Sequence, residues 1–198
     1  MSATLASLLN DVYALTLRPE LVAQTTLAVQ HATLKMHHTD FYCKDLSELS
    51  YTFETSEYLQ DLDWASTLTR YRAIQWIRKR DPDTQENMEF LTPIDPTQAL
   101  DPYKITKTNV YYGSGVFLRL RTDTPWAAFT LSFYQNPDIT SGSYSSWIAD
   151  QHPYAIVNEA ARRVFKTIGK DDEASMYESL VAEAVQEIKI SNVVVNGY

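Results

Sequence analysis

The group of side chains best suited to chemistry in this sequence lies near residue 40. His37, His38, Asp40 and Cys43 are metal-binding residue types close together in the chain. Zinc needs about four ligands at defined spacing. Adjacent histidines project in different directions, and no second cluster of such residues completes a ligand shell. The pattern favours a helix end followed by a buried thiol, so we expect no metal site and no cofactor.

Cys43 is the single cysteine of the chain, which excludes an intrachain disulfide. A catalytic thiol needs a base beside it, and His31 and His152 are the conceivable bases. No recognisable motif flanks either histidine. A Cys/His-dependent enzyme therefore stays only an alternative hypothesis.

Three other patterns suggest catalysis or ligand binding at first sight. Gly113–Ser114–Gly115 lacks the glycine spacing and the Lys–Ser/Thr pair of a phosphate-binding loop. Residues 141–146 lack the Gly-x-Ser-x-Gly spacing of a nucleophile elbow. Asp61 and Asp63 are paired carboxylates before Trp64, but a solvated loop explains them much better than acid–base chemistry does. The sequence predicts no catalytic residue, and we expect that the protein is not an enzyme.

Four arginines on two strand-like segments form a possible basic face: Arg70, Arg72, Arg119 and Arg121. Leu118 and Leu120 alternate with the last two, which predicts that these arginines point outward from a strand. Such a face serves solubility or meets an acidic neighbour. Since the net charge of the chain is −8, a second copy is one such neighbour.

Length and composition narrow the class of protein. The chain has 198 residues, 44% of them hydrophobic, which is enough for one core. The net charge of −8 disfavours a protein that grips nucleic-acid phosphates. We find no apolar run of about 18 residues and no basic segment typical of a signal peptide, so we expect no membrane span and synthesis in the cytoplasm.

Helical periodicity marks both ends of the chain. Residues 2–17 and 19–36 predict two helices, with Ser2 or Thr4 as the first cap and Pro19 opening the second. Pro153, Gly169 and Asp171 are start and stop signals for two closing helices. Their predicted shared core is Tyr154, Val157, Val164, Phe165, Tyr177, Leu180, Val181 and Ile188.

The middle of the chain predicts β-structure. The candidate strands are residues 49–54, 71–78, 88–91, 109–112, 116–121 and 127–134. A turn at 122–125 predicts that the last two pair as an antiparallel hairpin. Four prolines in residues 81–103 indicate a long loop, with at most a helical turn near 96–100.

The last eight residues carry three consecutive valines and read as an extended strand. Such a tail can leave its own subunit and add to a neighbouring sheet edge or groove, or it can fold back as a strand on its own β-region. Val193, Val194, Val195 and Tyr198 are the predicted docking residues.

The expected fold class is α+β, with N- and C-terminal helical hairpins forming a helical bundle and an antiparallel strand-rich insertion. The expected regions are an N-terminal hairpin (1–40), the strand-rich region with its loop (41–140), the C-terminal hairpin packed on the first helices (141–190), and the docking tail (191–198).

This arrangement resembles the head-to-tail adaptor proteins of tailed bacteriophages. The segments that carry the resemblance are Tyr154–Val157, 159–163, Asp171–Glu178 and the run 133–137. The resemblance covers the whole chain in architecture and about a third of it in residues.

The resemblance implies a structural virion protein of the phage neck. Such proteins dock as a ring of about twelve copies under the portal, extend the DNA conduit and carry the tail or nozzle protein below. It implies that genomic DNA passes through the lumen without specific binding, because carboxylates repel phosphates. It also implies that the C-terminal tail reaches the portal or an adjacent copy. A small cytosolic binding module is the main alternative.

Overall fold

The computed structural model describes residues 3–99 and 107–196, with the backbone alone at 193–196. This part of the chain is α+β, with six α-helices, five strands and two short 3-10 turns. Its residues form two compact units: a helical unit within Met1–Asp45 and Asn136–Tyr198, and a β unit spanning Leu46–Gln135. Each unit has its own hydrophobic cluster.

The helices are α1 (Leu5–Thr16), α2 (Val22–His37), α3 (Trp64–Thr67), α4 (Trp147–Gln151), α5 (Pro153–Thr167) and α6 (Asp171–Asn196). The strands are β1 (Leu46–Asp63), β2 (Tyr71–Arg80), β3 (Asn87–Pro93), β4 (Val110–Ser114) and β5 (Phe117–Gln135). The 3-10 turns are Cys43–Asp45 and Pro96–Gln98.

Local signals set most helix ends. Thr4 caps α1 through a reciprocal capping box with Ser7. Pro153 opens α5, and Gly169 has a φ of 73°, the left-handed geometry that ends a helix without a Cβ penalty. Pro19 does not open a helix as predicted, because α2 begins at Val22 after Leu21.

The helical unit is organised around α5. Helices α1, α2, α4 and α6 all pack on it, and α1 and α2 contact α5 more extensively than they contact each other. Alanines at 155, 160 and 161 are buried on α5, so neighbouring helices can approach closely. The core also contains Leu8, Val29 and Met36 from the first two helices.

The β unit contains a closed ring of strands. β5 pairs with β2 and β4, β2 pairs with β3, and β3 pairs with β4, so these four strands form a small barrel. β1 lies outside this ring and runs antiparallel to β5. Alternate apolar residues fill the interior, among them Leu118, Leu120, Phe129, Leu131 and Phe133.

The predicted hairpin in this region is wrong. Residues 117–121 and 127–134 are parts of one continuous strand, β5, and do not form a hairpin. The strand is unbroken through residues 122–125, where the turn was expected, and Thr122 is buried there. Within residues 81–103 the predicted strand 88–91 lies in β3, and the predicted helical turn is the 3-10 turn Pro96–Gln98. Residues 100–106 lie outside the described part.

The predicted fold class is wrong as well. The helices are not terminal hairpins that form a bundle; they surround α5, and a sheet with a closed four-strand barrel dominates the middle of the chain. The physical reason is that α1 and α2 bury their apolar faces against α5, which comes late in the sequence. A short connection between two helices does not by itself make them each other's main partners.

The predicted core of the closing helices is correct for most of its residues but not for all of them. Val157, Val164, Phe165, Val181 and Ile188 are buried, and Tyr177 is half-buried and stacks on Phe165 at 5.7 Å between ring centroids. The other two predicted core residues are not buried: Tyr154 is 72% exposed and Leu180 is 44% exposed. Their apolar character made them look like core positions, but they fall outside the face of each helix that packs.

The predicted extended tail is also wrong where the structure describes it. α6 continues to Asn196, so Val193, Val194 and Val195 have helical backbone. Helical hydrogen bonding carried on from the buried turns around Ile188 overrides the β preference of three valines. Tyr198 lies outside the described residues.

Two truncations on α6 test the packing assignment. Ile188→Ala should lower the free energy of unfolding by roughly 2–5 kcal/mol, because a fully buried side chain leaves a cavity. Leu180→Ala should cost less than about 1 kcal/mol, because Leu180 is 44% exposed and its truncation leaves no enclosed cavity. Urea denaturation followed by far-ultraviolet circular dichroism measures both. Equal costs at the two positions would contradict the burial pattern of α6.

Candidate functional site

The four metal-type residues near residue 40 do not converge. His37 Nδ1 is 2.8 Å from Asp45 Oδ1, whereas His38 Nε2 is 2.7 Å from Asn136 Oδ1. Cys43 is exposed, in contrast to the buried thiol that the sequence favoured. Within residues 3–99 and 107–196, no group of three or more His, Cys, Asp or Glu side chains is arranged to hold a metal ion.

The four arginines of the predicted basic face belong to different parts of the β unit. Arg119 and Arg121 lie on the first part of β5, opposite Asp61 and Leu59 of β1. Arg119 forms an ion pair with Asp61 at 3.3 Å. Arg72 is on β2, which pairs with the other end of β5, and Arg70 precedes that strand. A single basic stripe on one strand pair is therefore not formed, because β5 is one long strand.

The strongest electrostatic site in the helical unit centres on a carboxylate that the sequence analysis did not single out. Glu159, on α5, has no exposed side-chain surface. Its oxygens accept hydrogen bonds from Arg162 Nε (2.9 Å) and Nη2 (3.0 Å) and from Arg163 Nε (2.8 Å). Lys35 Nζ of α2 is 3.0 Å from the same carboxylate. One buried anion therefore ties α2 to α5.

The Glu159 site extends to α6 through Glu178. Arg162 Nη1 lies 3.4 Å from the Glu178 carboxylate, and Lys166 Nζ lies 3.6 Å from it. Four cationic side chains thus face two carboxylates, which leaves an excess of positive charge in a chain whose net charge is −8. Helix α5 presents this excess along one side.

The environment of Glu159 strongly favours its charged form. Burial alone raises the pKa of a carboxyl group, because desolvation penalises the anion. Hydrogen bonds from Arg162, Lys35 and Arg163 outweigh that penalty and lower the pKa of Glu159 from 4.5 to about 2. The carboxylate therefore stays ionised at any physiological pH and acts as a permanent anchor for the three cations.

A groove of about 530 Å³ opens between α2 and α5 next to this network. Its lining includes the apolar residues Leu27 and Ala28, the imidazole of His31, and the cationic residues Arg162, Arg163 and Lys166. Leu27 is 55% exposed, and Arg163 binds Glu159 through Nε. The groove suits a ligand that carries carboxylates and a small apolar surface.

A second polar network has the geometry of a Ser–His–Asp triad. His37 Nε2 lies 2.9 Å from Ser146 Oγ, and His37 Nδ1 lies 2.8 Å from Asp45 Oδ1. These distances are within the reach of a nucleophile, its base and the group that orients the base. Trp147 also donates its indole N–H to Asp45 at 2.7 Å.

Burial and capping give this triad a structural role. Ser146 is 4% exposed, so a substrate carbonyl has no approach to its oxygen. Ser146 is also the N-cap of α4, where its Oγ accepts the backbone N–H of Ala149 at 3.2 Å. The network ties the end of α2 and the 3-10 turn to the start of α4.

The sequence contained a signal for Glu159 but hardly any for the triad. Glu159 is a charged residue within the apolar stripe of α5, and arginines follow at the i+3 and i+4 positions, which are neighbours on a helix surface. His37 and Ser146 are 109 residues apart, so only the tertiary fold brings them together. Of the predicted bases, His31 lines the groove and His152 Nε2 lies 3.5 Å from Ser191 Oγ.

Acid titration tests the Glu159 anchor. Because its pKa is lower in the folded state, its contribution to stability is complete above pH 4.5 and is lost as pH falls toward 2. We expect Glu159→Gln to lower the free energy of unfolding by about 3 kcal/mol at pH 7, and we expect this difference to shrink as pH drops below 4.5. Val164→Ala, which truncates a buried side chain on the same helix, should cost about 2 kcal/mol both at pH 7 and below pH 4.5. A Glu159→Gln cost that does not change with pH would contradict the anchor.

Removing the Ser146 hydroxyl tests the role of the triad-like network. Ser146→Ala should cost about 1–3 kcal/mol, because it removes a helix cap and the hydrogen bond between Ser146 Oγ and the buried His37 ring. Ser179→Ala, on the exposed side of α6, should stay within about 0.5 kcal/mol of the unaltered protein. A fluorophosphonate probe should leave Ser146 unlabelled; covalent labelling there would show that it is a nucleophile.

Neither a membrane-spanning helix nor a known relative indicates the function of this chain. Among the described residues, no helix combines the length and apolarity needed to cross a membrane. Comparison with known proteins found neither a protein-family model nor a curated protein that matches this chain. Its function must therefore be inferred from its own residues and their arrangement.

Proposed function

We propose that this chain is a structural virion protein, a head-to-tail adaptor of a tailed bacteriophage that assembles as a ring under the portal. In this role it extends the DNA conduit and provides the platform on which the tail is attached. Its site of action is the neck of the virion, after synthesis in the host cytoplasm. The portal is its partner above, and a tail or nozzle protein is its partner below.

The observation that carries this proposal is the amount of large apolar surface left in water on the helical unit. One group of exposed side chains lies where α1 meets α2: Leu15, Leu17 and Val22. A second group lies on α6: Met176, Leu180 and Ile190. Apolar side chains that lie next to one another on a surface are typical of a site that packs against another protein.

Two separate surfaces favour a ring over a simple dimer. A two-fold dimer uses one patch that contacts its own copy, whereas a ring subunit needs two different patches that contact each other in turn. The exposed residues of α6 lie away from the face that packs on α5, and Leu27 lies on the groove between α2 and α5. The helical unit thus offers two distinct surfaces.

The bacteriophage assignment itself rests on the sequence resemblance. Three of the segments that carry it belong to the helical unit: Tyr154–Val157 and 159–163 are parts of α5, and Asp171–Glu178 forms the first turns of α6. The fourth, the run 133–137, begins in the last residues of β5. The net charge of −8 supports a conduit role, because an acidic lumen repels phosphates and lets DNA slide.

The C-terminal segment is proposed to dock on a partner as the end of a helix, and not as the extended strand that the sequence predicted. Val193, Val194 and Val195 stay the predicted docking residues, but their backbone is helical, so docking would insert a helix end into a groove and not add a strand to a sheet. Tyr198 keeps its predicted place as a terminal anchor beyond the described residues.

Binding to the portal encoded in the same phage genome tests the function. The purified full chain should co-sediment with portal rings and appear as a ring beneath them in electron micrographs. A chain truncated after Ser191 should lose most of this binding while keeping its melting temperature within a few degrees. Failure of the full chain to bind the portal would refute the adaptor function, and unaltered binding by the truncated chain would refute the docking role of the C-terminal segment.

A further inference from the structure

The outer face of α6 carries a pattern of residues that are exposed in the part of the chain that the structure describes. Asp172, Met176, Leu180, Glu183 and Glu187 are spaced by three or four residues, so they share one side of the helix. All five are exposed, and Met176 is exposed to 71%. The opposite side of α6, with Ala174, Val181 and Ile188, is the buried one. We call these five residues the α6 strip.

The groove between α2 and α5 has the complementary pattern. Leu27 and Ala28 supply apolar surface, and His31, Arg163 and Lys166 lie around it. The strip has apolar residues at its centre and carboxylates at both ends. At a protein interface, apolar side chains pack at the centre. Opposite charges around them fix how the two partners align.

We propose that the α6 strip of one copy occupies the α2–α5 groove of the next copy. In this contact Met176 and Leu180 cover Leu27, while the flanking carboxylates face Lys166 and Arg163. The inference rests on the proposed ring assembly and identifies the surfaces that form it. Because groove and strip are different parts of the helical unit, the contact is head-to-tail and leaves one free groove and one free strip at the ends of any open chain.

A protein segment fits this groove better than nucleic acid does. Phosphates would satisfy the cations but would leave Leu27 in water, since it is 55% exposed. The overall charge of −8 also repels a polyanion from the molecule. The strip of a second copy satisfies both the apolar and the charged parts of the groove.

Disulfide trapping between copies tests the contact directly. Cys43 is exposed, so the background variant is the full chain with Cys43→Ala. Leu27→Cys combined with Met176→Cys should give a ladder of dimers, trimers and longer species when concentrated protein is mildly oxidised. Leu27→Cys combined with Ala182→Cys is the matched control, because Ala182 is exposed on α6 but lies outside the strip. Equal ladders in the two variants would overturn the contact.

Charge reversal provides the second arm of the test. Lys166→Glu reverses a groove charge and His31→Glu adds a second carboxylate, and neither touches the hydrogen bonds to Glu159. The double variant should reduce trapping at least about tenfold. Adding Asp172→Lys and Glu187→Lys to the same chain should restore the ladder. Trapping that is insensitive to groove charge, or that is not restored, would overturn the proposed complementarity.

The portal assay separates this inference from the adaptor function. If the Cys pair forms its ladder while the chain fails to bind portal, the contact stands and the adaptor function is wrong. If the chain binds portal as a ring but the Cys pair behaves like its control, even in that ring, the function stands and this contact is wrong. Loss of portal binding by the groove variant with unchanged trapping would assign the groove to the portal and overturn the proposal.

Discussion

The Glu159 carboxylate is the constraint on which the helical unit depends most. It is fully buried and surrounded by Arg162, Arg163 and Lys35, and without them it would be an unpaired charge inside the protein. Breaking a buried ion network by removing one partner leaves the others uncompensated, which is costly. The network therefore fixes the register of α2 against α5, and Glu178 extends the same constraint to α6.

The cations around Glu159 also make the surface above it positively charged. The carboxylate engages Nε of Arg163 and so positions the rest of that guanidinium beside the groove between α2 and α5. Lys166, one helical turn after Arg162, adds a further cation near the groove. A buried structural contact thus preorganises a cationic surface in an acidic protein, and such preorganisation lowers the entropic cost of binding.

The two polar networks illustrate how similar geometry can serve different purposes. The Ser146–His37–Asp45 arrangement has the distances of a catalytic triad, yet its serine caps α4 and is almost entirely buried. The Glu159 network is equally buried at its centre, but its cations reach the surface. Exposure of the polar groups, more than their mutual distances, separates a structural tie from a surface that can act on a partner.

The sequence by itself determined the local features of this protein, and the tertiary structure decided the rest. These local features depend only on neighbouring residues, so the sequence pattern predicts them. They are the cap at Thr4, the helix start at Pro153, the helix end at Gly169, and the alternation of Leu118 and Leu120. The barrel, the central place of α5, the unbroken β5 and the helical valines depend on contacts between residues far apart in the chain. The same holds for the meeting of His37 with Ser146 and of Lys35 with Glu159. Only the fold decided these features, because packing energies shared among distant segments exceed the small local propensities of a turn or a strand.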